Sequence, residues 1–360
     1  MELFTLNKHS GSIAIDGILD ADREDILMQI TKDAAQRGMK NVVLDFRPLD
    51  HMNSAGASVL VKLATASKRR QLQLSAFGLG RRYREIFRLT GLDEEIDPVD
   101  ENSSGTNGVS DDAVGTLQES PSGSGRQDDS GWSPSIERLK ITERPEGAMN
   151  KNMDGRRVIG PLQGFGPMWQ KTYLLPIDKP GMQPREVIDV MKGHFPAFQP
   201  PENEFYPTSK GIAAGEAVLI DSSTPGGIVS TGVLVSYADD VSFTLITPEG
   251  HPEAGWVTFS ARKNGNSLLM QIQGLARASD PIYELAFRIA GSKLQESIWR
   301  HVLSSLAAYL KVPPDVEVVK ICVDDGLQWG KTGNIWYNAQ IRSLPYNIPR
   351  LFQKPKKRTR

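Results

Sequence analysis

The chain has a single cysteine in 360 residues, Cys322, inside the apolar run VVKICV. An internal disulfide is therefore excluded, and such usage fits a reducing compartment. The apolar setting predicts a buried structural thiol. No stretch approaches the roughly 18–20 apolar residues that a membrane helix needs. The opening MELFTLNKHS lacks the basic-then-apolar layout of a signal peptide. The expectation is a soluble, cytoplasmic protein with no integral membrane segment. Histidine is also scarce, five in all, and no second ligand pair with metal spacing accompanies any of them. No metal and no cofactor is expected. A net charge of −1, from 42 basic and 43 acidic residues, removes a whole-chain electrostatic grip on nucleic acid. The one local excess, QKPKKRTR over Gln353–Arg360 with five basic residues in eight, reads as a solvated, frayed tail.

What is present divides into zones. Residues 1–98 alternate strand-like and helix-like patterns. Leu3–Leu6 and Ser12–Ile15 are short extended runs, and Asn41–Phe46 (NVVLDF) is the continuous apolar strand of a doubly covered sheet. Arg23–Arg37 has helical spacing with Ile26, Ile30 and Ala34 on one stripe, and Gly38 follows its end. Ser54–Arg70 is a second helix with Ala57, Leu60, Val61 and Ala64 inward. Leu72–Phe77 is another strand, and Arg81–Leu89 a third helix closed by Gly91. Strands alternating with helices imply an α/β sandwich. Residues 99–157 are rich in Gly, Ser, Asp and Asn and poor in large apolar residues. Such a segment buries too little surface to offset its ordering entropy, and reads as a flexible linker. Apolar patterning resumes over residues 158–352.

Four pieces of the first zone, GILD (Gly17–Asp20), VVLDF (Val42–Phe46), MNSAG (Met52–Gly56) and LTGLD (Leu89–Asp93), stand in the order and spacing of STAS (anti-sigma-factor-antagonist) domains. Residues 1–98 resemble that family. The resemblance implies a bacterial regulatory domain whose phosphorylated serine falls on Ser54, and whose family aspartate falls on Asp20. Its partner-binding loop maps to Asp20, Asn53, Ser54, Ala55 and Gly56, and its partner is an anti-sigma factor or serine-kinase-like protein. The residues carry the chemistry independently. Asn53 or Ser54 stands where a helix starts, so a side-chain oxygen can cap free backbone N–H groups. A phosphate on Ser54 is tolerated at the positive helix end and adds about −1.5 to −2 charges to the docking face. Gly56 admits another chain. A plain cap and a phosphorylation switch both remain open for Ser54. Asn53 in place of the family's usual Asp, and Ala55 in place of a second Ser, depart from the pattern.

In the last zone Gly160–Tyr173 is glycine-rich, but no Gly-Lys-Ser/Thr follows, which removes a phosphate-loop reading. Pro184–Met191 is a short helix opened by proline. Strand-like runs follow at Glu216–Ile220, Gly232–Tyr237, Ser242–Thr247, Gly255–Ala261 and Leu268–Ala276. A long helix then carries Ile298, Val302, Leu303, Leu306 and Leu310 on one stripe. This order is that of an α+β helix-grip fold. Over Thr247–Leu310 the chain resembles the SRPBCC (START-like) superfamily. The resemblance implies an apolar ligand between sheet and helix, with Trp169, Trp256 and Trp299 as lining candidates beside a more ordinary role as core aromatics. His251 and Glu253 invite an acid–base or metal-ligand reading, against which they serve as residues orienting a hairpin turn; no catalytic residue is assigned. The whole reads as a non-enzymatic regulatory binding protein. The alternatives are a lipid-handling or transport accessory protein and a cyclase-type enzyme in the C-terminal domain.

Overall fold

The computed structural model describes residues 1–99, 127–149, 152–224 and 227–351, with the side chains of 290–292 and 346–351 left aside. The tail 353–360 lies outside these residues. The chain divides into two compact units: Met1–Ser135 with Gly160–Leu162, and Ile136–Ile159 with Gln163–Arg360.

The first unit is built on a five-stranded sheet. Its strands are β1 (Leu3–Asn7), β2 (Ser10–Ala14), β4 (Asn41–Asp45), β6 (Gln73–Phe77) and β7 (Ile96–Val99), in that order. β1 runs antiparallel to β2, and the remaining neighbours are parallel. A separate parallel pair joins β3 (Gly17–Leu19) to β5 (Leu49–Met52). β4 lies in the middle of the sheet with parallel neighbours on both sides, which is why its sequence is apolar almost throughout. Three helices follow the sequence reading closely: α1 (Glu24–Gln36), α2 (Ser54–Arg69) and α3 (Arg81–Thr90). α3 stops at Gly91, whose φ of 76° is the left-handed conformation that ends helices. The buried face of α1 is rotated by a residue from the expected one. Leu27, Thr31 and Ala34 are inside, whereas Ile26 is exposed. Thr31 is tolerated there because its hydroxyl donates to the Leu27 carbonyl at 3.0 Å. α2 is buried nearly all round, and its Lys62 is satisfied by an ion pair with Glu24 of α1.

Of the expected linker, residues 100–126 and 150–151 lie outside the described residues, and the remainder is placed on folded structure. Residues 127–135 group with the first unit and 136–159 with the second. In the second unit, the Asn152 carboxamide donates to the Ser230 carbonyl at 2.7 Å, and Arg157 pairs with Glu249 at 2.6 Å.

The second unit holds a large antiparallel sheet, compatible with the helix-grip order. Its path is β10 (Asn203–Pro207), β11 (Ala217–Thr224), β12 (Gly227–Ala238), β13 (Ser242–Pro248), β14 (Glu253–Asn264), β15 (Ser267–Ala278), β9 (Met168–Ile177) and β16 (Glu317–Asp324). The short β8 (Val158–Ile159) adds to β13. Helices α4 (Pro184–His194) and α6 (Ser292–Leu310) pack on one face through Val187, Ile188 and Met191 and through Val302, Leu303 and Leu306. Between them Phe243 and Phe259 stack at 4.5 Å, and Phe195 meets both edge-on. α5 (Pro281–Ala286) and α7 (Ala339–Leu351) complete the unit. His194 is the last residue of α4. Cys322 is exposed, not buried. Among the described residues its strand β16 ends the sheet and pairs with β9 alone, so the apolar run VVKICV lies at a sheet edge.

Candidate functional site

Because β3 and β5 are parallel with Leu19 opposite Met52, the residues that follow each strand, Asp20 and Asn53, emerge side by side. The Asn53 backbone N–H donates to the Leu19 carbonyl at 3.3 Å and ties the two ends together. Asp20 caps a short turn of 3-10 helix, accepting from the Asp22 N–H at 3.0 Å. Asn53 is the residue that caps α2. Its extended backbone (φ −91°, ψ 179°) lets Oδ1 accept from the Gly56 N–H at 3.0 Å. Ser54 is the first helical residue, its carbonyl accepting from the Ser58 hydroxyl at 3.1 Å. The five residues of the expected loop are thus brought together.

Two of them differ in detail from expectation. Ser54 is only 3% exposed rather than displayed on an open loop. Gly56 is needed for a contact inside the domain: a Cβ there would stand 2.1 Å from the Leu19 carbonyl oxygen, so it is β3 that approaches closely. Ala55 is half-buried between them.

The sequence reading missed what else lies at this end of the first unit. Gln127 spans the ends of two parallel strands. Its Nε2 donates to the Phe46 carbonyl at 2.7 Å and the Gly78 carbonyl at 3.0 Å, while Oε1 accepts from the Gly80 N–H at 2.8 Å. Asp128 pairs with β5: its N–H donates to the Asp50 carbonyl at 2.7 Å, and it forms a parallel bridge with His51. His51 Nδ1 lies 2.9 Å from the Asp128 carbonyl, which places the ring proton on Nδ1. Tyr83 of α3 joins both chain segments, donating to the Asp128 carbonyl at 2.6 Å and accepting from the Met52 N–H at 2.8 Å. Burial pushes its phenol well above the ordinary tyrosine range. Asp129 pairs with Arg82 at 3.2 Å. Trp132, 7% exposed, donates from Nε1 to the Met52 carbonyl at 2.7 Å. The Ser130 N–H and hydroxyl hold the Asp128 carboxyl below its usual range, as does the nearby His51. One signal was available: Trp132 is the only aromatic residue in 99–157.

In the second unit, strand alternation separates the candidate tryptophans. Val257 belongs to the helix-facing core, so its neighbour Trp256 lies on the opposite face of β14. Trp299 of α6 packs on Phe259 at 5.6 Å. Trp169 is 41% exposed and shares the helix-facing side of β9 with Lys171 and Tyr173. Lys171 donates to Gln295 Oε1 at 2.5 Å, and Gln295 Nε2 donates to Glu253 at 2.6 Å. Burial lowers the Lys171 pKa and raises that of Glu253. His251 Nδ1 lies 3.1 Å from both the N–H and the carbonyl of Glu253 in the turn between β13 and β14. Burial holds its pKa down to about 4. His251 and Glu253 meet through backbone and ring, not as a carboxylate–imidazole pair. Among the described residues no group of three or more His, Cys, Asp or Glu is arranged to hold a metal ion. Among them, too, no helix is long and apolar enough to cross a membrane.

The family model of the STAS domain matches residues 7–105. No curated protein matches the chain. Among solved structures, the anti-sigma factor antagonist SpoIIAA in its unphosphorylated form is 14% identical. The similarity covers 33% of this chain and 97% of that one, with a TM-score of 0.25. The di-domain ARO/CYC StfQ from the steffimycin biosynthetic pathway is 10% identical over 40% of this chain and 51% of that chain, with a TM-score of 0.33. A Thermus thermophilus protein is 13% identical over 39% of this chain and 97% of that chain, with a TM-score of 0.31.

Proposed function

We propose that this protein is a regulatory binding protein of the anti-sigma-factor-antagonist type, whose STAS unit docks an anti-sigma factor or serine-kinase-like partner and releases it when Ser54 is phosphorylated. The reading rests on one observation: within residues matched to the STAS domain, Ser54 opens α2 directly after the capping Asn53, with Asp20 alongside. A phosphate at that position meets the positive end of the α2 dipole. The same charges face any acidic partner surface, so release follows from repulsion without refolding. The burial of Ser54 adds a requirement, since its hydroxyl must be uncovered before a kinase reaches it.

The second unit is read as a helix-grip domain that holds an apolar small molecule without turning it over. Trp169 and Trp299, on the helix-facing side of the sheet, support that reading. His251 has its Nδ1 committed to the Glu253 backbone, which supports a turn-orienting role over acid–base chemistry. The test of the switch is phosphorylation-site mapping by tandem mass spectrometry on protein isolated from its own cells. Phosphate on Ser54 is the expected result. Complete coverage of Leu49–Lys62 without phosphate, under conditions where the partner is expressed, overturns it.

A further inference from the structure

Residues 127–133 (QDDSGWS) reach the first unit after the 100–126 stretch and settle on the end of the domain that carries Asn53 and Ser54. The fit is specific to these residues. The Gln127 carboxamide satisfies two carbonyls and one N–H at the ends of β4 and β6. Gly80 is small at the point where Gln127 arrives, since a Cβ there would lie 2.8 Å from Oε1. Asp128 takes an edge of β5, Asp129 pairs with Arg82, and the Trp132 indole bonds the Met52 carbonyl two residues before Ser54.

The attachment is also thin. Asp128 makes a single bridge with β5, Asp128 and Ser130 are exposed, and of the seven residues only Trp132 and Ser133 are buried. A segment with so few buried contacts opens without unfolding the domain beneath it. Its occupancy is sustained by the covalent tether, which supplies a high effective concentration.

We infer that residues 127–133 are a displaceable plug: this surface of the STAS unit is a groove for an acidic, turn-containing segment with an indole anchor, and the chain's own segment fills it until a partner or kinase competes for the loop. The inference rests on the reading of the Asn53–Ser54 end as the partner face. Its test uses neither partner nor phosphate, so the two fail independently.

The experiment compares the full wild-type chain with the full-length double variant Gln127→Ala, Trp132→Ala. The probe is a fluorescein-labelled synthetic peptide of residues 127–135, followed by anisotropy. The folded double variant is expected to bind the peptide at least tenfold more tightly than the wild type, whose own segment competes. No binding to the folded variant, or equal binding to both proteins, overturns the proposal. Amide hydrogen exchange on the wild type alone gives a second reading, independent of whether the variant folds. The Asp128 amide, bonded to the Asp50 carbonyl, is expected to exchange at least tenfold faster than the buried amides of α2. Exchange no faster than α2 overturns the plug, because the segment then opens only when the domain unfolds.

Discussion

The indole Nε1 of Trp132 donates to the backbone carbonyl of Met52 at 2.7 Å, across 80 residues of sequence. Met52 also gives its N–H to Tyr83, so both backbone groups of the residue before the α2 cap are taken by side chains from elsewhere in the unit. The position of Asn53 and Ser54 is therefore set by three elements together: the β3–β5 pair, α3 and the 127–133 segment.

Tyr83→Phe removes the hydroxyl that links Met52 to Asp128 and leaves a buried N–H without its acceptor. A loss of about 1–3 kcal/mol in the stability of the first unit is expected. Denaturant unfolding, with exchange of the α2 amides marking the first unit, measures it. A change below a few tenths of a kcal/mol would mean that the hydroxyl contributes nothing.

Gly56→Ala tests the close approach of β3. In an exposed helix interior the change to alanine stabilises by up to about 1 kcal/mol. Here the new Cβ meets the Leu19 carbonyl oxygen at 2.1 Å, and backbone must move. The expected net effect is a destabilisation of about 1–3 kcal/mol. A raised melting temperature contradicts the packing described.

Asn53→Ala deletes the cap to the Gly56 N–H and should lower stability by about 0.5–2 kcal/mol. Asn53→Asp keeps the acceptor and adds a negative charge at the helix start, so its stability should equal or exceed that of the wild type. Paired thermal melts decide, and equal losses in both variants would exclude capping as the role of Asn53.

His251 gives a pH dependence to the second unit. Its pKa is about 4 in the folded chain against an ordinary value of 6.5. Between these values the unfolded chain binds a proton that the folded chain refuses, so stability falls as pH drops from about 6.5 to about 4, by at most about 3 kcal/mol. Glu253 acts oppositely. Burial raises its pKa, so it contributes stability in acid that is lost as pH rises through the raised value. His251→Asn keeps a group that bonds the Glu253 backbone and removes the titration. The difference in melting temperature between pH 7 and pH 5 should shrink in this variant, and an unchanged difference contradicts the assignment.

The regular elements are legible in the sequence because their signals are local. The apolar run Asn41–Asp45, the stop at Gly91 and the alternating runs from Ala217 to Ala278 need no tertiary information. β3 and β5 are not legible, since three- and four-residue strands outside the main sheet carry no periodicity to detect. The inward face of α1 departs from its apolar stripe because Thr31, polar by type, satisfies its hydroxyl within the helix and is buried. Cys322 departs from expectation because an apolar run looks the same in a covered strand and at a sheet edge. The docking of Gln127–Trp132 is illegible for a different reason. Its composition is that of a chain unable to form its own core, yet its side chains bond to carbonyls that only the folded β4, β5 and β6 present.

In the proposed function, charge at Ser54 decides partner binding. Its most direct measurement is the affinity of purified full-length wild type, Ser54→Ala and Ser54→Asp for the cognate anti-sigma factor or kinase-like partner, with melts recorded on each protein. Ser54→Ala is expected to bind at least as tightly as wild type, and Ser54→Asp, while still folded, at least tenfold more weakly. Equal affinity of folded Ser54→Asp and wild type would contradict it, and would make Ser54 a helix-start residue of a STAS domain that is not switched there.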